Sequence, residues 1–320
     1  MLLNLGGPDS LDSVKPFLLN LFSDRMIMRL GPAPLQRPIA WAIATARAGK
    51  AKRAYALIGG KSPLNEFTAS QARAIGEALK GEGGFRVYSG MRYWRPYISD
   101  AVREMEGDGI QRVIAVSLYP HYSIATTGSS LHELDLQMKK LKDKKKPMVW
   151  ESINQWCDHP LYIEALADTI EKGLASFGSD DIFILFSAHG LPVKIARNDL
   201  YVEHINRTIE AVAEKMNIKG SPGKYALSYQ SRTGPVKWLT PYTDEMLRDL
   251  GRRGVKKVLV VPVSFVSDHI ETLYEIDILY KGLAAELGID LRRTQALNSH
   301  PLLIGAFKEM ILRKKKELGW

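Results

Sequence analysis

The stretch Ser267-Asp268-His269-Ile270-Glu271-Thr272-Leu273-Tyr274-Glu275-Ile276-Asp277 gathers four carboxylates and a histidine. It follows the apolar run Val258-Leu259-Val260-Val261-Pro262-Val263, which reads as a buried strand. The acidic residues therefore stand just past a strand's carboxyl end, where open α/β sheets bind ligands. On a helix, Asp268, Glu271 and Glu275 at spacings of three and four are expected to share one face. Stacked like charges repel, so a helix kept for structure alone gains nothing from this order. A second histidine, His189, follows Phe183-Ile184-Leu185-Phe186 and precedes Gly190 and Pro192, at the expected carboxyl end of another strand. An imidazole facing carboxylates can move protons near neutral pH and hold a divalent cation weakly.

Other chemistries find less support. Of the remaining histidines, His132, His159, His204 and His300 read as helix-surface or capping residues, and His121 ends a buried run. No H-E-x-x-H or two-His-one-carboxylate spacing occurs, so no permanent zinc or iron site is expected. Ser187 and Ser264 lack a nucleophile-elbow context and Cys157 lacks a base, which argues against acyl transfer. With one cysteine, the chain can form neither an internal disulfide nor an iron–sulfur cluster. A reducing, cytoplasmic setting is expected.

The elements that must position these groups come in two related halves. Gly109-Ile110-Gln111-Arg112-Val113-Ile114-Ala115-Val116-Ser117 resembles Gly254-Val255-Lys256-Lys257-Val258-Leu259-Val260-Val261-Pro262 at an offset of 145 residues, which also sets Pro96-Tyr97 on Pro241-Tyr242. Each copy reads as a Pro-initiated helix, a Gly turn and a buried strand. Further strands are expected at residues 2–5, 85–88, 148–151, 184–187 and 225–228. Alternation of strands and helices predicts an α/β fold: two Rossmann-like domains, each a parallel sheet flanked by helices, related by internal duplication. We place the domains at 1–147 and 148–300, with a helix at about 301–320 packing back on the first. No G-x-G-x-x-G or Walker motif is present, so the topology does not imply a nucleotide.

Val14, Phe17, Leu18, Leu21 and Phe22 predict an amphipathic helix. Behind it Met26, Ile27, Met28, Leu30, Leu35, Ile39 and Trp41 are interrupted by Pro32, Pro34 and Pro38, too often for one helix. Core packing explains part of this segment; the alternative is a hydrophobic lip for a flat apolar ligand or a membrane surface. The 320-residue chain is 45% hydrophobic, with a net charge of +9 concentrated in part at 139–146 and 313–316. Those blocks read as solvated helix ends, or as attraction to an anionic membrane or acidic ligand. No zinc finger or RNA-recognition signature accompanies them, so nucleic acid is not expected as a partner. Neither a signal peptide nor an apolar run of membrane-spanning length is seen.

Phe186-Ser187-Ala188-His189-Gly190-Leu191-Pro192 and the 267–277 stretch closely resemble two signature segments of ferrochelatases, which insert Fe²⁺ into a porphyrin late in haem synthesis. Leu3-Asn4-Leu5-Gly6-Gly7-Pro8, Tyr122-Ser123 with Thr126-Thr127-Gly128-Ser129-Ser130, and Gly234-Pro235-Val236-Lys237-Trp238-Leu239 extend the likeness over nearly the whole chain. The resemblance implies two Rossmann-like domains around a porphyrin cleft. It implies His189 as proton acceptor or metal contact on one side of the macrocycle and Glu271 on the other. It further implies Arg92 and Tyr93 at the pocket floor, and Met28, Trp238 and Phe265 packing against the porphyrin. A path for protons or metal is implied through Asp268, His269 and Glu275, along a helix with a π-type turn. The family's acidic row steps by four, yet position 279 is Leu; Asp277 joins the row only if the helix is wound differently.

The resemblance thus implies an enzyme, a lyase of haem and porphyrin biosynthesis, that takes protoporphyrin IX and ferrous iron as substrates and needs no permanent cofactor. Coproporphyrin III is the alternative substrate. Cobalt or nickel chelatases of carboxylate-rich rings fit the apolar lip less well, and a non-catalytic tetrapyrrole carrier would not need Glu271 beside His189. Ile124 stands where some members carry a cluster-ligating cysteine. The lip and basic blocks suit peripheral contact with the inner membrane.

Overall fold

The computed structural model describes residues 1–141, 148–178, 181–219 and 223–320. They form two units, Met1–Trp156 with Phe307–Trp320, and Cys157–Ala306.

In the first unit the elements run β1 (Leu2–Asn4), α1 (Val14–Ser23), α2 (Gln36–Leu57), α3 (Leu64–Ala78), β2 (Ser89–Met91), α4 (Ile98–Gly107), β3 (Arg112–Ser117), α5 (Ser129–Lys139) and β4 (Val149–Ile153). The four strands form one parallel sheet in the order β2-β1-β3-β4. Ile98, Val102 and Met105 of α4 and Leu134 and Met138 of α5 pack with Leu3, Val113 and Ala115 of the strands. Ala40, Ala44 and Ala48 repeat every four residues on the buried side of α2, and their small side chains let α1 approach closely; Phe22 packs on Ala40 and Ala44. Pro38 lies in the first turn of α2, where its missing N–H costs no intrahelical bond, so the lip's second half is helical.

The second unit holds α6 (Pro160–Ala175), β5 (Phe183–His189), α7 (Val193–Ala196), α8 (Tyr201–Lys215), β6 (Tyr225–Gln230), α9 (Thr243–Arg252), β7 (Lys257–Pro262), a π-helix (Glu271–Tyr280), α10 (Lys281–Glu286) and β8 (Asp290–Arg293). Its sheet is again parallel, ordered β6-β5-β7-β8, so the two units repeat one topology. Residues 183–188 of β5 are all buried, as an apolar run in a central parallel strand should be. α9 carries Asp244 and Glu245 in its first turn and Arg252 in its last, complementing the helix dipole. The last helix, α11 (Pro301–Glu317), passes to the first unit at Phe307.

Two expectations require correction. The division falls after Trp156 rather than at 147, because Val149–Ile153 pairs with β3 in the first sheet. Much of the linker expected near 139–147 lies outside the described residues. Second, the strand begins at Ser89 rather than at Phe85, although the Tyr88 carbonyl already accepts from the Leu2 N–H at 2.7 Å. β8, which completes the second sheet, went unexpected because its sequence, Asp-Leu-Arg-Arg, has no apolar run.

Candidate active site

His189 is the last residue of β5, and the chain beyond β7 folds over the same sheet end. β6 and β7 lie on opposite sides of β5, so this is the point where the strand order reverses and a crevice opens. The His189 N–H donates to Ser264 Oγ at 3.0 Å, and its carbonyl accepts from the Tyr201 hydroxyl at 3.0 Å. Gly190 follows because nothing larger fits: a Cβ there would lie 2.9 Å from the Gln230 carbonyl oxygen and 3.4 Å from the Trp238 ring. The imidazole is therefore held from both backbone sides, with the Phe265 ring edge-on at 6.4 Å between centroids.

Its Nδ1 meets Glu271 Oε2 at 2.7 Å. The two side chains retain 35% and 21% of their exposure, so the pair is sheltered but reachable. Glu271 opens the π-helix, whose i→i+5 bonding widens each turn. Glu275 comes next on the same side. The Ser231 hydroxyl spans the two carboxylates, 3.1 Å from Glu271 Oε2 and 2.6 Å from Glu275 Oε2. Ser231 achieves this from a left-handed backbone, φ 68°, unusual for a residue with a Cβ. The Gln230 amide donates to the Glu271 carbonyl (2.9 Å) and to Glu275 Oε2 (3.0 Å), and Ser187 donates to Gln230 Oε1 at 2.7 Å, fixing the amide's orientation.

The electrostatics follow from these contacts. Burial disfavours the His189 imidazolium, but the charge and hydrogen bond of Glu271 outweigh it and hold the pKa above its ordinary value. Burial likewise pushes Glu271 up, yet His189 in contact and His269 nearby carry it well below the carboxylate range. Glu275 has burial and the neighbouring Glu271 charge acting together, which push it up to about 7. The contact thus favours the imidazolium at His189 and the carboxylate at Glu271, beside a carboxyl group poised between its two forms near neutral pH. With a single hydroxyl proton, Ser231 donates to one carboxylate at a time.

The other expected residues divide between the units. His269 turns its Nδ1 to the Ser267 carbonyl at 3.0 Å and stacks on Phe265 at 4.4 Å, and burial lowers its pKa below the ordinary value. Asp268 does not face Glu271. Its carboxylate pairs with Arg293 at 3.0 Å and accepts from Thr272 and Asn298, which corrects the shared face expected for Asp268, Glu271 and Glu275. Asp277 also goes to Arg293, despite the altered winding, and does not join the acidic row. On the π-helix the next position of the row falls at Tyr280, whose phenol is pushed up by burial and by Glu275, while Leu279 is exposed. The Trp238 indole donates to the Thr233 carbonyl and is mostly buried against the Gly190 turn.

In the first unit, Arg92 and Tyr93 converge on Asp24. Arg92 Nη2 donates to Asp24 Oδ2 at 2.9 Å, the Tyr93 hydroxyl donates to the same oxygen at 2.7 Å, and Ser129 binds both Asp24 and Arg92. Tyr93 is only 1% exposed, so it holds Asp24 rather than presenting a surface. Asp24 in turn accepts from the Met26 N–H, and its carbonyl accepts from the Met28 N–H, pinning the start of the lip. Gln36 closes the other end by donating to the Phe22 and Met28 carbonyls. Leu35 and Trp41 remain 50% and 54% exposed. Reading the sequence missed Ser231, Gln230, Arg293 and Asp24, none of which lies in a recognisable acid–base motif.

Comparison with known proteins bears directly on this arrangement. The family model for ferrochelatase matches residues 1–315. The chain belongs to the ferrochelatase family. It is 49% identical to the ferrochelatase of Geotalea uraniireducens over 97% of this chain and 96% of that one. It is 47% identical to that of Desulfotalea psychrophila (98% and 95%) and 46% identical to that of Synechocystis (98% and 81%). Among solved structures, SirB from Bacillus subtilis with Fe³⁺ superimposes with a TM-score of 0.52 at 13% identity, over 78% of this chain and 90% of that one; a SirB sirohydrochlorin chelatase with cobalt gives 0.51. That likeness concerns the fold. Ferrochelatases are enzymes that insert a metal into a porphyrin.

Proposed function

We propose that the protein inserts Fe²⁺ into protoporphyrin IX, with His189 and Glu271 as the groups that meet the metal and take the displaced protons. The observation that carries this reading is the His189–Glu271 contact at 2.7 Å with Glu275 bridged to it through Ser231. Insertion requires two pyrrole protons to leave as the metal enters. At rest the pair shares one proton. An arriving divalent cation opposes the imidazolium charge and drives that proton off, leaving an imidazole and a carboxylate as acceptors. Glu275, with a pKa near neutrality, offers the proton a place to go. Two donors bind a divalent ion loosely, which suits a metal that must be handed on.

Met28 and Phe265 supply apolar and aromatic surface, buried Trp238 backs the Gly190 turn, and Arg92 stands over Asp24 as a support for the lip. Exposed Leu35 and Trp41 favour a ring with few carboxylates, hence protoporphyrin over coproporphyrin III. The same two residues, with Lys15 5.0 Å over the Trp41 ring, are our candidates for peripheral membrane contact. No helix among the described residues is long and apolar enough to cross a membrane. No permanent cofactor enters this scheme; Cys157 is buried and burial pushes its thiol up to about 11. Anaerobic insertion with Fe²⁺ or Zn²⁺, comparing the two porphyrins by absorbance, tests the reading. Faster turnover of protoporphyrin is expected. Faster coproporphyrin turnover would reassign the substrate, and binding without turnover would leave a carrier.

A further inference from the structure

Arg293, the last residue of β8, makes a contact that the chemistry above does not use. Its Nε and Nη2 form a fork on Asp277, at 2.9 and 2.7 Å, while Nη1 reaches Asp268 at 3.0 Å and the Thr294 carbonyl at 3.1 Å. The side chain is 10% exposed. Asp268 precedes the first turn of the helix that bears Glu271 and Glu275, and Asp277 lies in its second turn. The two partners of one guanidinium thus bracket the carboxylate pair in the chain.

An α-helix turns once in 3.6 residues, so positions nine apart lie about two and a half turns apart, on opposite sides. With i→i+5 bonding, steps of four and five residues each complete a turn, and nine residues return to the same side. Glu271 and Tyr280 are nine apart, so this winding aligns Glu271, Glu275 and Tyr280 along one side. Asp268 stands before the helix and Asp277 in its second turn, so Arg293 ties the helix's entry to a point beyond both glutamates. π-Helices are rare, and a run of this length needs an interaction that holds it in place. A fork spanning two carboxylates from a rigid strand is such an interaction, and lysine cannot reproduce it, since an ammonium is a point charge.

We propose that Arg293 is a positioning residue that locks the π winding and so sets Glu275 beside Glu271 and Glu271 against His189. Its kinetic consequence rests on the chelatase reading; its structural consequence does not. Two variants test it, Arg293→Lys and Asp277→Asn, with Arg252→Lys on exposed α9 as control. Amide hydrogen exchange across 271–280 and steady-state metal insertion are read on each. The expected result is at least tenfold faster exchange confined to that segment, with kcat reduced tenfold or more and the porphyrin KM within twofold of wild type. Unchanged exchange in folded variants would overturn the lock. Faster exchange with kcat intact, or a raised KM with kcat intact, would overturn the positioning role. If Arg293→Lys fails to fold, Asp277→Asn decides, because Asp277 is more than a third exposed and tolerates the change. If the wild type inserts no metal, the functional reading fails, and exchange alone still decides the lock.

Discussion

The His189 imidazole and the Glu271 carboxylate are 82 residues apart in the chain and 2.7 Å apart in space. One ends β5 and the other begins the π-helix beyond β7, so adjacency of two central parallel strands creates the pair. Neither residue has a strong tendency alone; each holds the other in its charged form.

Substituting either member should therefore remove the reaction and spare the fold. His189→Ala and Glu271→Gln are each expected to lower insertion by about 100-fold or more, the range of acid–base groups. Circular dichroism and thermal melting should remain those of a folded protein. Insertion within a few-fold of wild type in either variant would remove that residue from the mechanism.

Glu275 predicts how stability follows pH. Its folded pKa of about 7 lies above the ordinary 4.5, so the native state binds the extra proton. Stability from this group should fall as pH rises from about 4.5 to about 7 and stay low above. Glu275→Gln removes the penalty, and denaturant unfolding at pH 8 should find the variant more stable by about 1–3 kcal/mol. The gain should vanish near pH 4. A variant less stable than wild type at pH 8 would contradict the assignment.

Ser231 separates hydroxyl from backbone. Ser231→Ala loses the bridge and keeps a Cβ at a left-handed φ, whereas Ser231→Gly loses the bridge and relieves the backbone. Both should insert metal about tenfold more slowly, while only the glycine variant should match or exceed wild-type melting. Full activity in the glycine variant would make the hydroxyl a structural accessory.

In the first unit, Asp24 should behave as a stability hub. Burial raises its pKa, but hydrogen bonds from Ser129 and Tyr93 and the charge of Arg92 bring it below the ordinary 3.8. Its contribution is present above that value and lost as pH falls through the depressed pKa. Asp24→Asn leaves partly buried Arg92 with only the more distant Glu133, at 3.6 Å, and should cost about 1–3 kcal/mol, measured by denaturant unfolding at pH 7. A cost under about 0.5 kcal/mol would show the network to be dispensable.

Much of this was legible in the residue order. Apolar runs marked β3, β5 and β7, and the 145-residue offset marked the repeated topology, because buried parallel strands cannot hide their composition. His189 and Glu271 stood at strand ends, where chemistry concentrates. What remained hidden depends on conformation rather than composition. Nothing in Gln230-Ser231 announces a left-handed serine, and nothing in Asp-Leu-Arg-Arg announces a strand whose arginine clamps a distant helix. The shared face expected for Asp268 failed because the helix begins only after it and Arg293 claims its carboxylate. The lip's proline count argued against one continuous helix, and α2 begins only at Gln36, with Pro38 in a first turn that tolerates it.

The most direct measurement is anaerobic Fe²⁺ insertion into protoporphyrin by the wild type beside His189→Ala and Glu271→Gln, followed by absorbance under single-turnover conditions. The account predicts rapid metalloporphyrin formation by the wild type and porphyrin binding without insertion by both variants. Insertion by both variants at the wild-type rate would contradict it.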